Sequence, residues 1–182
     1  MAHVGLTGPG GQPLVLPVAF ARDGERVLIH GSTGSRLFRR LAAGEPTCLT
    51  VTVLDGLVVA RSAFESSMQY RSAMVLGRCT ALRGPAKRAA LDAITDRLLP
   101  GRLVDVRPPT RRELAATLVL ALPLDETSVK VSTGPPADPP ADAALPVWAG
   151  VVPLRERAGA PVPAPGLDPD IPVPDYVRRW RR

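Results

Sequence analysis

The residues best suited to chemistry fall in one run, Val27-Leu28-Ile29-His30-Gly31-Ser32-Thr33-Gly34-Ser35-Arg36. A strand-like apolar stretch ends at an imidazole and a turn of small residues, and a segment with cationic side chains follows. That combination suits a phosphate group. Backbone N–H groups at a helix N-terminus point at an anion, and the helix dipole favours it. Gly31 and Gly34 let the backbone come close, and Ser32, Thr33 and Ser35 add hydroxyl donors. Arg36 adds a charged fork, with Arg39 or Arg40 further along. The same residues also suit an ordinary capped helix with a solvated basic face, since Ser and Thr are common N-caps. A strand-end imidazole is also a candidate axial ligand for haem iron, although a lone histidine more often packs or hydrogen-bonds.

The elements that must hold this run are mostly short strands. His3 to Thr7 is the first, and Gly8-Pro9-Gly10-Gly11 must turn. Pro13 to Ala21 is almost wholly apolar, the pattern of a strand buried on both faces. Asp23-Gly24 signals a hairpin, and Glu25 to His30 returns. Ser32 or Thr33 is placed to cap a helix whose apolar positions are Leu37, Phe38 and Leu41, with Gly44 just past its end. Thr47 to Leu54 and Leu57 to Ala63 read as strands around a second hairpin signal, Asp55-Gly56, and Tyr70 to Leu82 as a longer one. The period then changes. Pro85 to Leu99 has helical spacing, and Thr110 with Glu113 forms a capping box. Thr117 to Leu124 and Val147 to Leu154 return to strand patterns. Many short strands, tight turns and few helices predict a mainly β (α+β) fold, a closed or nearly closed antiparallel barrel.

Composition narrows the function. The 182 residues are 45% hydrophobic and 22% charged, those of a soluble globular domain. Of 21 prolines, 12 lie between Pro135 and Pro174, a density at which regular elements cannot persist. The chain therefore divides into a domain over 1–155 and a Pro-rich, basic tail over 156–182. The net charge of +6 falls to +2 without the four arginines of the final five residues. The pI of about 10.3 is thus a tail property and weak support for nucleic acid as a partner. The RRWRR ending reads as a solvated tail. Two cysteines, Cys48 and Cys79, build no disulfide framework, and no zinc spacing accompanies them. No apolar run approaches the ~20 residues of a membrane helix. No secretory signal opens the chain, so a reduced cytoplasm is the expected location. Hydrolase, NTPase and zincin motifs do not occur. Glu113 and Asp125 read as capping and turn residues rather than an acid/base pair, and no catalytic residue stands out.

Three pieces of the sequence carry a family resemblance: the LIHGSTGSR turn, the MQYRSAMVLGR strand and the PVWAG segment. Together with VLPVAF and CLTVTVLDG they resemble the pyridoxamine 5′-phosphate oxidase-related family, in its nitroimidazole-reductase-like branch of FMN-binding split barrels. The resemblance runs from about Ala2 to Leu154. It implies an FMN-dependent oxidoreductase acting on a small organic acceptor. It also implies a homodimer with flavin at the subunit interface. On the resemblance, His30, Gly31, Ser32, Thr33, Ser35 and Arg36 would lie on the phosphate side. Leu16, Pro17 and Val18 would meet the isoalloxazine, largely through backbone atoms. Tyr70, Arg71 and Ser72 would border the cofactor, and Trp148 would wall its pocket. Relatives carry a helix ahead of the first strand, so the expected start of the natural chain lies upstream of Met1. The basic residues with which pyridoxamine-phosphate oxidases grip substrate phosphate are not all present, which points to the broader family rather than to that activity. A haem-binding split barrel, a deazaflavin-binding one and a non-catalytic flavin-binding regulator are the alternatives.

Overall fold

The computed structural model describes residues 1–181. Ten strands form two antiparallel sheets. In chain order they are β1 (Ala2–Thr7), β2 (Pro13–Val18), β3 (Phe20–Asp23), β4 (Arg26–Ser32), β5 (Pro46–Val59), β6 (Ser67–Arg78), β7 (Thr80–Ala81), β8 (Thr117–Pro123), β9 (Glu126–Ser132) and β10 (Gly150–Pro153). The larger sheet runs β2-β1-β5-β6-β9, with β10 beside the far half of β5; the smaller runs β3-β4-β8-β7. The chain crosses between sheets at Ala19 and at Cys79, and the two sheets enclose one core. Helix α1 (Arg36–Ala42) closes this core with Leu37, Phe38 and Leu41. Helix α2 (Gly84–Leu98) covers the outer face of the smaller sheet, Ala90 and Ile94 packing on Leu28, Val119 and Ala121. Alternation along β4 explains its near-continuous hydrophobicity: Val27 and Ile29 face the barrel, while Leu28 faces α2.

Several expectations change in three dimensions. Pro13 to Ala21 is not one strand buried on both faces. It breaks at Ala19, and β2 is an edge strand on which Val15 is 62% exposed. Pro13 and Pro17 lack the N–H that a second neighbour would require. The first hairpin turns one residue late: Asp23 pairs with Arg26, and Gly24 takes a positive φ of 57°. Asp55-Gly56 is no hairpin either. Here β5 runs on for 14 residues, paired with β6 throughout, and the register shifts between Leu54 and Gly56 as a β-bulge. The strand from Tyr70 ends at Arg78, where the chain passes to the other sheet. Strand β9 is not among the strands that the sequence pattern predicts. Its apolar positions Val129 and Val131 do alternate, but it is an exposed edge with polar residues between them.

Beyond β10 the chain crosses as an irregular Pro-rich strap and ends in one helical turn, α4 (Asp175–Arg178). That turn is docked: the Trp180 indole N–H donates to the Leu98 carbonyl at 2.7 Å, so Trp180 is held at the end of α2 rather than in solvent.

Candidate functional site

The 27–36 junction separates two clefts, and its residues divide between them. His30 shares the face of Leu28, and so turns outward beneath α2 rather than into the barrel. There it lines a cavity of about 460 Å³. Leu91 and Thr95 of α2 form one wall and Leu103 and Val106 of the following connection another. Leu114 belongs to α3 (Arg111–Ala115), and Thr117 to the start of β8. Among the described residues no hydrogen bond engages either imidazole nitrogen. Burial disfavours the imidazolium and holds the His30 pKa below its ordinary 6.5, so the ring is a neutral base near pH 7. At the rim Arg107 pairs in two-pronged fashion with Glu113, at 2.6 and 2.9 Å. Glu113 also accepts the Thr110 N–H at 2.7 Å, which completes the capping box. The Arg107 guanidinium and this N–H together hold its carboxyl down to about 2.

The second cleft, about 310 Å³, lies between the free edge of β2 and the start of α1. Leu14, Val15 and Leu16 line one side and Ser35, Arg36 and Leu37 the other. Ser35, not Ser32 or Thr33, is the N-cap, its hydroxyl accepting the Phe38 N–H. Thr33 is committed elsewhere, its N–H and hydroxyl both donating to the Ala116 carbonyl at 2.9 and 3.2 Å. The Ser32 hydroxyl accepts the Gly34 N–H at 3.1 Å. Arg36 has no ion-pair partner among the described residues, whereas Arg40 is taken up by Glu45 and donates to the Thr7 carbonyl at 2.6 Å. A helix of seven residues adds little dipole, so the anion-binding capacity here rests on Arg36. Because β2 has only β1 beside it, half of its backbone polar groups face outward; these belong to Val15 and Pro17, which can meet a ligand's polar edge, whereas the backbone of Leu16 and Val18 is paired with Val4 and Ala2 of β1. Gly31 has a packing reason to be glycine: a Cβ there would lie 2.3 Å from the Phe38 ring.

The remaining sequence-predicted residues lie on the larger sheet. Tyr70 and Ser72 share the face turned away from the barrel, and Lys130 sits 5.5 Å from the Tyr70 ring. Arg71 takes the opposite face and is bound by Asp55, both contacts at 2.9 Å. Trp148 is 67% exposed and its ring covers Gly150, where a Cβ would come within 2.9 Å. Neither cleft is lined by Tyr70, Arg71, Ser72 or Trp148. What sequence reasoning missed was the wall around His30. Thr95, Leu103, Val106 and Leu114 come from segments far along the chain, and the only local signal was an imidazole in phase with Leu28. No group of three or more His, Cys, Asp or Glu able to hold a metal ion occurs among the described residues. Nor is any helix among them long and apolar enough to cross a membrane.

Two antiparallel sheets closed around one core, with a helix plugging an end and another laid on the outer face, define a split barrel. The chain belongs to the pyridoxamine 5′-phosphate oxidase family, whose model matches residues 1–131. It is similar to the FAD and haem binding protein from Mycobacterium smegmatis, with 50% identity over 97% of this chain and 87% of that one, at a TM-score of 0.93. It is also similar to the flavocytochrome Anf3 from Azotobacter vinelandii, with 44% identity over 99% and 84% of the two chains, at 0.90. A protein assigned to 5-nitroimidazole antibiotic resistance in Bacteroides thetaiotaomicron shares the fold at 22% identity, covering 70% of this chain and 74% of that one, with a TM-score of 0.56. Among curated proteins none matches the chain.

Proposed function

We propose that this protein is a cytoplasmic redox protein carrying two prosthetic groups, a flavin nucleotide at the β2–α1 cleft and a haem in the His30 cavity. The observation that carries the reading is His30: a neutral imidazole without a protein partner among the described residues, facing a cavity whose walls combine Leu91, Leu103, Val106, Pro109 and Leu114 with the polar Asp92, Thr95, Arg107, Glu113 and Thr117. Those residues fit a haem. Leucine and valine side chains suit the macrocycle, and a neutral imidazole is the form that ligates iron. The two relatives sharing half or nearly half of its residues support this, being an FAD and haem binding protein and a flavocytochrome. On the same ground FAD is favoured over the FMN expected from sequence. Arg36 would pair with the flavin phosphate, and the outward edge of β2 would meet the ring. When bound, the flavin supplies hydride chemistry and the haem one-electron chemistry. The chain binds, orients and shields them, serving reduction of a small organic acceptor.

We further propose a homodimer. Leu54, Leu57, Met68 and Met74 are exposed on the sheet face that turns away from the barrel, alongside Val152. Val15 lies on this face and also lines the β2–α1 cleft, so a second copy seated there would supply the wall that the cleft lacks.

The test is the absorption spectrum of the purified protein, followed by mass spectrometry of what heat releases. A Soret band together with released FAD is expected, and His30→Ala should lose the Soret band while keeping the flavin. Released FMN without haem would return the protein to the FMN-dependent reductase reading. A protein that stays colourless after incubation with haemin and both flavins would overturn the proposal.

A further inference from the structure

We infer that the last helical turn of the chain is a positioning element for the His30 cavity, with Tyr176 and Trp180 holding the wall formed by Leu103 and Val106. For the identity of the ligand this rests on the haem reading above. Most of the cavity is built on paired or helical backbone: His30 and Thr117 on neighbouring strands, Leu91 and Thr95 on α2. The wall opposite is different. Leu103 and Val106 sit in the connection between α2 and α3, which joins neither sheet and has only a single 3₁₀ turn of its own, Arg102–Val104. Such a segment opens easily unless something outside holds it.

The C-terminal turn meets that need at three points. The Tyr176 hydroxyl donates to Asp105 Oδ2 at 2.7 Å and accepts from Arg102 Nη1 at 2.8 Å, bridging the residues on either side of Leu103. The Tyr176 ring lies over Gly101, whose φ of +86° starts the turn and where a Cβ would stand 3.6 Å from the ring. The Trp180 indole N–H donates to the Leu98 carbonyl, one of those a helix leaves unpaired at its C-terminus. The Pro-rich strap from β10 delivers this turn from the larger sheet to the end of α2, and its stiffness favours re-docking over free excursion. Tyr176 does not itself line the cavity; it acts through Arg102 and Asp105.

The experiment compares haemin release from the full-length chain, its Tyr176→Phe and Asp105→Ala variants and the double variant, with flavin release measured alongside. Tyr176→Phe should release haemin about three- to tenfold faster, as the loss of a hydrogen bond or two predicts. Flavin release should be unchanged. The double variant should be no faster than the faster single variant, the non-additivity expected of groups acting as a unit. Trp180→Ala is the second variant should Tyr176→Phe not fold, with the same direction expected. Unchanged haemin release, or an equal acceleration of flavin release, overturns the inference. If the unsubstituted chain takes up no haemin, the haem reading has failed. The positioning role is then decided by hydrogen exchange over 101–106, where faster exchange in Tyr176→Phe supports it and unchanged exchange overturns it.

Discussion

At the scale of single residues, two side chains carry opposite demands. His30 must be neutral to serve as a ligand, and burial beneath α2 secures this by penalising the imidazolium. The sign for stability follows. An unfolded chain takes up the His30 proton at about the ordinary 6.5, the folded chain only at lower pH, so acidification through that range favours unfolding. The apo protein should therefore lose part of its urea resistance between pH 7.5 and 5.5, and His30→Gln should remove that part; identical pH dependence in the two proteins would refute it. Arg36 must stay charged and unpaired, and it lines the β2–α1 cleft without an ion-pair partner among the described residues. Arg36→Ala should weaken flavin binding by about 1.5–3 kcal/mol, the range of a hydrogen bond to a charged group. Flavin affinity by fluorescence titration checks this, and an unchanged value would move the phosphate elsewhere.

At the scale of elements, the contrast between what could and could not be read in the sequence is instructive. Helix α1 was legible from Leu37, Phe38 and Leu41, and α3 from Thr110 and Glu113, because spacing and caps are local properties. Asp55-Gly56 was misleading, since the same dipeptide suits a hairpin turn and a bulge. Pairing of β5 with both β6 and β10 decides for the bulge, and pairing is not local. The cap moved to Ser35 for a similar reason: Thr33 is drawn off by the Ala116 carbonyl of the segment entering β8. In the candidate site, the β2–α1 cleft was within reach because its lining residues lie close in sequence. The His30 cavity was not, because its walls come from α2, the connection after it, and α3. Helix α3 supports a prediction of its own. Thr110→Ala removes the cap hydroxyl and should cost about 1 kcal/mol, read from the urea midpoint. Glu113 titrates at about 2 in the folded chain against an ordinary 4.5, so its contribution is present above 4.5 and is lost as pH falls towards 2. Glu113→Gln should flatten stability against pH in that window, and an unaltered acid profile would show that the Arg107 pair contributes nothing.

At the scale of the whole molecule, the distribution of charge and apolar surface bears on assembly. Arginine ion pairs lie in the C-terminal turn α4, the hairpin of β3 and β4 and the α3 corner. The outward face of the larger sheet instead carries Leu54, Leu57, Met68 and Met74, large apolar side chains that a solitary subunit would leave in water. A two-fold axis through that face would bury this patch against the same patch of a second copy and bring two β2–α1 clefts to the same interface. The mass in solution should then be twice 19.3 kDa. Met74→Glu places a charge where Met74 stands opposite Thr50 in the middle of β6. The side chain is already 40% exposed in one subunit, so the fold should tolerate the change while the interface does not. Sedimentation should show a folded monomer with weakened flavin binding, whereas Val162→Glu on the strap should leave the dimer intact. A Met74→Glu protein that remains dimeric would place the interface elsewhere. One that is monomeric yet binds flavin with full affinity would show that each cleft is complete within its own subunit.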